Sequence, residues 1–225
     1  MRIDIVTLFP EMFEGPLTHS ILKRAAESGH VEIQYHNPRE YSKDKHKKVD
    51  DYQFGGGAGM VLTPQPLADL LDQLMEQRNY DEIIFLTPDG KTLSQGIANQ
   101  LSTKENLIFI CGHYKGIDER IRAHYVSKEI SIGDFVLTGG ELAAMVLTDA
   151  IVRLIPGAMG DGTSALTDSF QDSLLAPPVY TRPAEFNGMK VPDILLSGNL
   201  KAIDQWRHDK ALERTKLRRP DLLDE

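Results

Sequence analysis

The chain has 225 residues, of which 41% are hydrophobic, and it carries a formal net charge of −8. A chain of this length can form one large domain with a smaller appendage, and its acidic balance excludes a protein that holds nucleic acid by bulk electrostatics alone. The single cysteine, Cys111, excludes a disulfide framework and a cysteine-based zinc site.

The amino-terminal segment does not read as a targeting signal. Pro10 interrupts it before an apolar core of signal-peptide length has formed. No run of about 18 apolar residues follows anywhere in the sequence. We therefore expect a soluble cytoplasmic protein that has no membrane partner.

Short β-branched segments alternate with helical patterns over the first two-thirds of the chain. The predicted strands are IDIVTLF, VEIQYH, EIIFLT, NLIFICG and KEISIG. Helical patterns cover residues 64–77 and the long run GGELAAMVLTDAIVRLIP, which ends at Pro156 and Gly157. This alternation predicts an α/β domain with a mostly parallel, buried sheet over residues 1–156.

The composition changes after this domain. Residues 157–173 are rich in Gly, Ser, Thr and Asp and show no hydrophobic period, which is typical of a flexible linker. Residues 174–225 contain the helical run NLKAIDQWRHDKALERTKLRRP and are predicted to form a small carboxyl-terminal helical domain.

The glycine run FGGGAGM, from Phe54 to Met60, resembles a phosphate-binding loop only superficially. A P-loop needs Gly-Lys-Ser/Thr at the start of a helix, and a dinucleotide fold needs G-x-G-x-x-G directly after a strand. Neither pattern is present. A close approach of the backbone to a ligand or another segment, and a plain flexible loop, both remain open.

Cys111 and His113 stand close enough in sequence to suggest a thiol nucleophile with its base. Because Cys111 ends an apolar strand, the stronger interpretation is a small core residue. The histidines show no spacing typical of metal ligands, so no catalytic metal site is predicted.

Three loops rich in Gly, Pro and Asp follow consecutive predicted strands: Leu86–Lys91, Cys111–Arg120 and Ser131–Glu141. Ligands of open α/β sheets bind at the carboxyl ends of the strands, so these loops are expected to form one pocket. Glycines allow backbone groups to face a ligand without an intervening Cβ. The pattern therefore predicts a compact ligand held largely by main chain.

Two basic patches stand out in this acidic chain. Between Lys201 and Arg219 there are seven basic and three acidic residues, and Lys43–Lys48 contains four lysines and one acid. Four of these residues recur at i, i+3, i+7 and i+11 and would form one stripe on a helix: Arg207, Lys210, Arg214 and Arg218. Contact with phosphates and an ordinary solvated face are both open interpretations.

Several motifs, in this order, resemble those of the bacterial tRNA (guanine-N1)-methyltransferase family of the SPOUT class. They are LFPEMF, KHKKVDDYQFGGGAGM, CGHYKGIDER, SIGDFVLTGGE, DAIVRLIPG, DSF, YTRP, VPDILLSGN and RTKLRRPDLL. The resemblance covers nearly the whole chain. It implies methylation of N1 of guanine 37 in tRNA with S-adenosylmethionine, a mostly parallel sheet with a deep trefoil knot, and a homodimer with active sites at the subunit interface.

The resemblance also implies roles for individual residues. Asp168 matches the general base, Arg153 the activating cation, and Asp50 a residue that reads the neighbouring guanine, while the basic stripe would bind tRNA. The residues matched to the S-adenosylmethionine pocket are Leu86, Thr87, Pro88, Gly112, Tyr114, Gly116, Ser131, Ile132, Gly133, Leu137, Gly139 and Gly140.

One position departs from the family pattern, because Lys115 stands where the resemblance implies a glutamate that contacts the cofactor. A catalytically impaired RNA-binding homologue is therefore an alternative hypothesis. A third, which ignores the resemblance, is a nucleotide-binding α/β enzyme that uses the Gly55–Gly59 loop.

Overall fold

The computed structural model describes residues 1–160 and 167–223 and divides into two units, Met1–Gly162 and Thr163–Glu225. The elements of the first unit are, in chain order, β1 (Arg2–Val6), α1 (Ser20–Glu27), β2 (Glu32–His36), β3 (Asp50–Tyr52), β4 (Met60–Leu62), α2 (Pro64–Gln77), β5 (Glu82–Thr92), α3 (Gln95–Ser102), β6 (Asn106–Cys111), α4 (Glu119–Tyr125), β7 (Lys128–Ser131) and α5 (Glu141–Val152). Those of the second unit are β8 (Glu185–Phe186), β9 (Met189–Lys190), α6 (Asp193–Leu196) and α7 (Leu200–Arg218).

A five-stranded sheet in the order β2-β1-β6-β5-β7 forms the centre of the first unit. Every neighbouring pair of strands in it is parallel. The predicted α/β fold with a parallel sheet is confirmed, and each predicted strand segment overlaps one of these five strands, although β5 continues to Thr92, beyond its predicted end.

The sheet is buried on both faces because alternate side chains of its strands enter two separate cores. On one face, Ile84 and Phe109 pack with the apolar sides of α1, α3 and α5. On the other face, Phe85 and Ile110 pack with α2 and α4. This burial on both faces explains why the strands read as continuous apolar runs instead of alternating ones.

Helix α5 is shorter than its sequence pattern predicts. The apolar run continues to Ile155, but α5 ends at Val152, and Leu154 and Ile155 instead donate backbone hydrogen bonds to Ile151 and Val152. These bonds tighten the last turn, which is a common way for a helix to end.

The glycine run forms the turn of an antiparallel hairpin between β3 and β4. Strand β4 is also bonded to the loop after β6: the Leu62 amide donates to the Gly116 carbonyl and the Lys115 amide to the Met60 carbonyl, both at 3.0 Å. Gly59 has a φ of +97°, and a Cβ there would lie 2.9 Å from Cγ of Lys115. The close approach that the sequence left open therefore occurs within the chain itself.

A charged cluster is buried at Asp4 in β1. Its carboxylate accepts hydrogen bonds from Nε and one terminal nitrogen of Arg2 at 2.9 and 2.8 Å and from the Tyr80 hydroxyl at 2.8 Å, and it lies 2.6 Å from His36 Nε2. Burial alone would raise the pKa of Asp4, but these hydrogen bonds outweigh burial and lower the pKa well below its usual range.

In the second unit, α7 is capped by Asn199, whose side chain accepts a hydrogen bond from the Ala202 amide at 3.2 Å. Thr215 near the other end is buried, and its hydroxyl accepts a bond from the Leu175 amide at 2.8 Å. The hairpin β8–β9 was not predicted from the sequence, because its strands have only two residues each. The boundary between the units falls inside the predicted linker, of which residues 161–166 lie outside the described residues.

None of the described helices is long and apolar enough to cross a membrane.

Candidate functional site

A cavity of about 470 Å³ opens beside the middle of β5 and the ends of β6 and β7. Two of its walls are the predicted loops after β6 and β7. The predicted loop Leu86–Lys91 is not a loop: it lies within β5, whose pairing with β7 shifts between Leu86 and Lys91, and its first residues form the third wall. Every residue matched to the cofactor pocket lines it: Leu86, Thr87, Pro88, Gly112, Tyr114, Gly116, Ser131, Ile132, Gly133, Leu137, Gly139 and Gly140.

Two backbone segments that line this cavity are hydrogen-bonded to each other. The Gly140 amide donates to the Gly112 carbonyl at 2.8 Å, and a bridge pairs His113 with Gly139. A Cβ on Gly140 would lie 2.8 Å from the Cα of Cys111, closer than real Cβ atoms approach backbone. A side chain at this position would therefore separate the start of α5 from the end of β6.

Arg122 of α4 joins two walls of the cavity. One of its terminal nitrogens lies 2.7 Å from Asp89 Oδ2 and 2.7 Å from Glu129 Oε2, and its Nε also bonds to Glu129. Thr87 donates its hydroxyl to Asp89, and the bonds from Thr87 and Arg122 lower the pKa of that carboxyl. Arg122 likewise lowers the pKa of Glu129, so both carboxylates are ionised at neutral pH.

The third wall is supported by Phe85. The Arg122 guanidinium carbon lies 5.6 Å from the centroid of the Phe85 ring, within the range of a cation–π contact. An edge carbon of the same ring would lie 2.9 Å from a Cβ on Gly112. Arg122, Asp89 and Phe85 all line the cavity, and sequence reasoning missed them. For Arg122 and Asp89, the sequence offered one signal: their opposite charges and their position in or beside the predicted loops.

A polar cluster lies beneath the Gly139–Gly140 segment. Glu141 is buried and accepts a hydrogen bond from the Thr7 hydroxyl at 2.9 Å. Cys111 is also buried, and burial, followed by the charge of Glu141, raises the pKa of its thiol. Within the part of the chain that the structure describes, the buried Nδ1 of His113 has no hydrogen-bond partner. Cys111 thus lies in the core, with no thiolate available at neutral pH.

No group of three or more His, Cys, Asp or Glu side chains in the described ranges is arranged to hold a metal ion.

Lys115 is exposed at the edge of the cavity and lines it. Its aliphatic stem runs along Gly59, where a Cβ would lie 2.9 Å from Cγ and 3.1 Å from Cε. Asp50, the first residue of β3, is half-buried and stands opposite Leu62 in the hairpin. Strand β4 is bonded to the loop after β6, which lines the cavity. The hairpin that carries Asp50 is therefore attached to one wall of the cavity.

The two residues matched to catalysis lie in different units. Arg153 is half-buried at the carboxyl end of α5 in the first unit. Asp168 is half-buried in the second unit, and neither is among the described residues that line the cavity. Of the neighbouring acids, Asp172 is exposed and Asp161 lies outside the described residues.

The predicted basic stripe lies on α7, where its helical spacing keeps the four residues on one side. Lys210 pairs with Glu213 at 2.6 Å, and Arg207 lies 3.5 Å from Asp204. Arg214 donates to the Ala176 carbonyl at 2.8 Å, and Arg218 is exposed. The stripe therefore combines solvent-facing cations with one guanidinium that ties α7 to the preceding segment.

Comparison with known proteins gives a match over the whole chain. Residues 1–225 match the family model described as tRNA (Guanine-1)-methyltransferase TrmD. Proteins named tRNA (guanine-N(1)-)-methyltransferase from Flavobacterium johnsoniae and Christiangramia forsetii are each 59% identical over 225 residues, covering all of both chains. One from Porphyromonas gingivalis with the same name is 60% identical over 223 residues, or 99% of each chain.

Proposed function

The chain belongs to the tRNA (guanine-1)-methyltransferase family and methylates N1 of guanine 37 in tRNA; we propose that its methyl donor is S-adenosylmethionine, bound in the cavity lined by β5 and by the loops after β6 and β7. The observation that carries this proposal is the convergence of all the residues matched to the cofactor pocket on one cavity.

The cavity suits this ligand in size and in lining. About 470 Å³ lies within the range of small-molecule sites, which are mostly apolar with a few placed polar groups. Leu86, Ile132 and Leu137 offer apolar surface for the adenine ring, and the glycine loops bring backbone groups close enough to bond to its edges. When bound, S-adenosylmethionine supplies a methyl group activated by its positive sulfonium.

We propose Asp168 as the general base and Arg153 as the activating cation, on the strength of their motifs. Guanine N1 carries a proton at neutral pH, so a carboxylate must remove that proton as the methyl group transfers. Negative charge then builds on O6, where the guanidinium of Arg153 would meet it. A preorganised donor of this kind is typically worth about 3–4 kcal/mol.

We also propose that the first unit contains a deep trefoil knot. Strand β5 lies between β6 and β7 in the sheet, yet the segment after β7 is bonded to the loop after β6, since the Gly140 amide donates to the Gly112 carbonyl. Strand β5 continues beyond Leu86, and its Lys91 and Thr92 pair with the end of β7. A segment that passes from β7 to the far side of a strand that itself continues supports threading, which is rare among folds.

An exposed apolar surface beside the cavity supports a homodimer. Val136 is 82% exposed and Phe135 53% exposed in the loop after β7, and Leu142 and Val146 point outward from one side of α5. Monomeric proteins rarely leave a contiguous patch of this kind in water. We propose that a second copy of the chain covers it, which would place the cavity at the subunit interface.

Contacts with tRNA are proposed for Asp50, for the basic stripe and for the Lys43–Lys48 patch. In that patch Lys43 pairs with Asp69 at 2.9 Å, while the rings of Tyr52 and Phe54 stand in solvent on the adjoining hairpin. Exposed rings next to lysines suit unpaired RNA, whose bases stack on aromatic side chains. Because the substrate is tRNA, we propose that the enzyme acts in the cytoplasm.

One assay tests the proposal against its alternatives. The protein is incubated with methyl-labelled S-adenosylmethionine and unmodified tRNA bearing guanine 37, with the same tRNA carrying adenosine there as control. We expect label only at N1 of guanine 37. Binding of tRNA without transfer would instead support the impaired homologue that Lys115 suggested. Binding of nucleotides by the glycine hairpin, abolished by its substitution, would support the third hypothesis.

A further inference from the structure

A second cavity, of about 450 Å³, lies entirely within the second unit. The irregular segment 177–182 forms one wall, and α6 and α7 form the others. The interior is apolar, with Leu195 and Ile203 among its lining, whereas two guanidinium groups, those of Arg182 and Arg207, stand at its edge. None of the residues matched to the methyl-donor pocket belongs to it.

The rim of this cavity leaves large apolar side chains in water. Val179 is 90% exposed, Leu196 60% and Tyr180 49%. The Tyr180 ring lies 6.4 Å from the Trp206 ring at an interplanar angle of 53°, so the two rings are neighbours without stacking face to face. About half of Tyr180 is accessible, so its ring offers an aromatic platform to a planar ligand.

Polar groups along the same wall also lack partners. Within residues 1–160 and 167–223, the backbone amides of Val179–Arg182 donate no hydrogen bond, and the Arg182 side chain forms no ion pair. On the wall formed by α7, Arg207 forms an ion pair with the exposed Asp204 at 3.5 Å. The four amides and the Arg182 guanidinium are suited to an anionic partner with acceptor atoms.

We propose that this cavity receives one unpaired nucleotide of the tRNA substrate, with its base against Tyr180 and its phosphates against Arg182 and Arg207. The inference rests on the proposed function, because it assumes that tRNA reaches the second unit. A flat, apolar ring joined to anionic phosphates matches an apolar cavity with an aromatic platform and two cations at its rim. Arg207 also belongs to the basic stripe of α7, so the cavity continues a surface of the same charge.

The test is an abasic scan with the full-length protein. Anticodon stem-loop RNAs bearing guanine 37 are made with one unpaired nucleotide at a time replaced by an abasic sugar-phosphate, which keeps the charge and removes only the base. Wild-type protein is expected to lose about 5- to 100-fold in affinity at one loop position in addition to guanine 37. The Tyr180→Ala variant should bind intact RNA more weakly than the wild type does, by the same factor. Its affinity should fall no further when the RNA is abasic at that position.

Matched variants separate stacking from charge and from folding. Tyr180→Phe keeps the ring and should bind like wild type. Arg182→Ala should weaken the binding of all the RNAs alike and lower its salt dependence. Lys216 lies nine residues from Arg207 and therefore on the opposite side of α7. Lys216→Ala should change neither the affinity nor the salt dependence. Circular dichroism and melting temperature are measured for each variant.

The outcomes distinguish the inference from the function on which it rests. If Tyr180→Ala and the abasic substitutions act independently at every position, no base enters the cavity and the inference fails, even though guanine 37 is still methylated. If Tyr180→Ala leaves RNA affinity unchanged but alters the oligomeric state in sedimentation, the cavity is covered by protein and the inference also fails. Absence of methylation by the wild type would instead refute the proposed function.

Discussion

Arg122 and Asp89 lie 33 positions apart in sequence, yet a guanidinium nitrogen and a carboxylate oxygen of the two are 2.7 Å apart at the mouth of the first cavity. The same nitrogen reaches Glu129 at the base of β7. One side chain thus links strands β5 and β7 and helix α4 around the proposed methyl-donor pocket.

Removing this link should loosen the pocket. Arg122→Gln is expected to weaken S-adenosylmethionine binding about tenfold in calorimetric titrations, because it removes charge-assisted bonds to two carboxylates and releases the Thr87–Asp89 segment. Its KM for the donor should rise while kcat changes little. Arg120→Gln is the matched control, since Arg120 pairs with Asp118 on the same helix without lining the cavity. Equal affinities of the two variants would contradict a positioning role for Arg122.

The proposed base is tested by Asp168→Asn, which preserves shape and removes the ionisable group. Methyl transfer should fall by about 10²- to 10⁴-fold, the usual contribution of a general base, while S-adenosylmethionine binding stays unchanged. Asp172→Asn, in an exposed position four residues later, serves as control and should retain activity. Single-turnover assays measure both, and near wild-type turnover by Asp168→Asn would remove the assignment.

The stripe on α7 is tested by salt dependence. The double variant Arg207→Ala/Lys210→Ala should lower the slope of log affinity for tRNA against log salt by about two units, because each of the two cations would neutralise one phosphate. Lys216→Ala on the opposite side of the helix should leave the slope unchanged. Arg214 is kept intact because its bond to Ala176 supports the fold of the second unit. An unaltered slope in the double variant would show that the stripe is only solvated surface.

Lys115→Glu is expected to tighten S-adenosylmethionine binding, because a carboxylate would attract the sulfonium and ammonium that a lysine repels. A charge-assisted bond at the edge of a pocket corresponds to about one to two orders of magnitude in affinity. S-Adenosylhomocysteine lacks the sulfonium charge and should gain less.

Lys115→Met provides the matched comparison, since it keeps an aliphatic stem for Gly59 and removes the charge. Calorimetry with both ligands separates the effects. Equal gains for the two ligands in Lys115→Glu would indicate a change of loop shape instead of charge, and no gain for either would reject the electrostatic hypothesis.

Asp4 should make stability depend on acid pH. Its pKa is lowered in the folded state, so the stabilisation is fully present above the unfolded pKa of about 3.9 and is lost as the pH falls below that value towards the folded one. Asp4→Asn should lower the free energy of unfolding by about 1.5–3 kcal/mol at pH 7. The difference from wild type should shrink below about pH 4.

Urea titrations at a series of pH values measure this effect. Glu32→Gln is the control, because Glu32 pairs with the same Arg2 but is 59% exposed, and such surface pairs contribute about 0–1 kcal/mol. A constant difference between wild type and Asp4→Asn from pH 7 to pH 3 would mean that the ionisation of Asp4 does not stabilise the fold.

The sheet and the cavity could be predicted because both follow from local patterns. Buried parallel strands are continuous apolar runs, and loops after such strands meet at one edge of a sheet. The hairpin β3–β4 escaped prediction because its strands have three residues each, one of them beginning with two acids at Asp50 and Asp51. Short polar strands carry no periodic signal.

Contacts between side chains that are distant in sequence were a second limit on what could be predicted. Nothing local in the sequence indicates that Arg122 meets Asp89, or that Asp4 is buried with Tyr80 76 positions away. The roles of Arg153 and Asp168 remain predictions for a related reason, since they depend on motif resemblance and the two residues belong to separate units.

Gly140 leaves no room for a Cβ between α5 and the end of β6, and this restricts how the enzyme could escape an inhibitor. A compound could bind through the backbone groups of the Gly139–Gly140 and Gly112 segments. No amino-acid substitution removes the backbone carbonyl groups to which it would bind. A substitution that blocked it by adding a side chain at Gly140 would also disrupt the junction that shapes the pocket. Drug resistance would then have to arise elsewhere, through altered expression, export of the compound or changes at the cavity mouth.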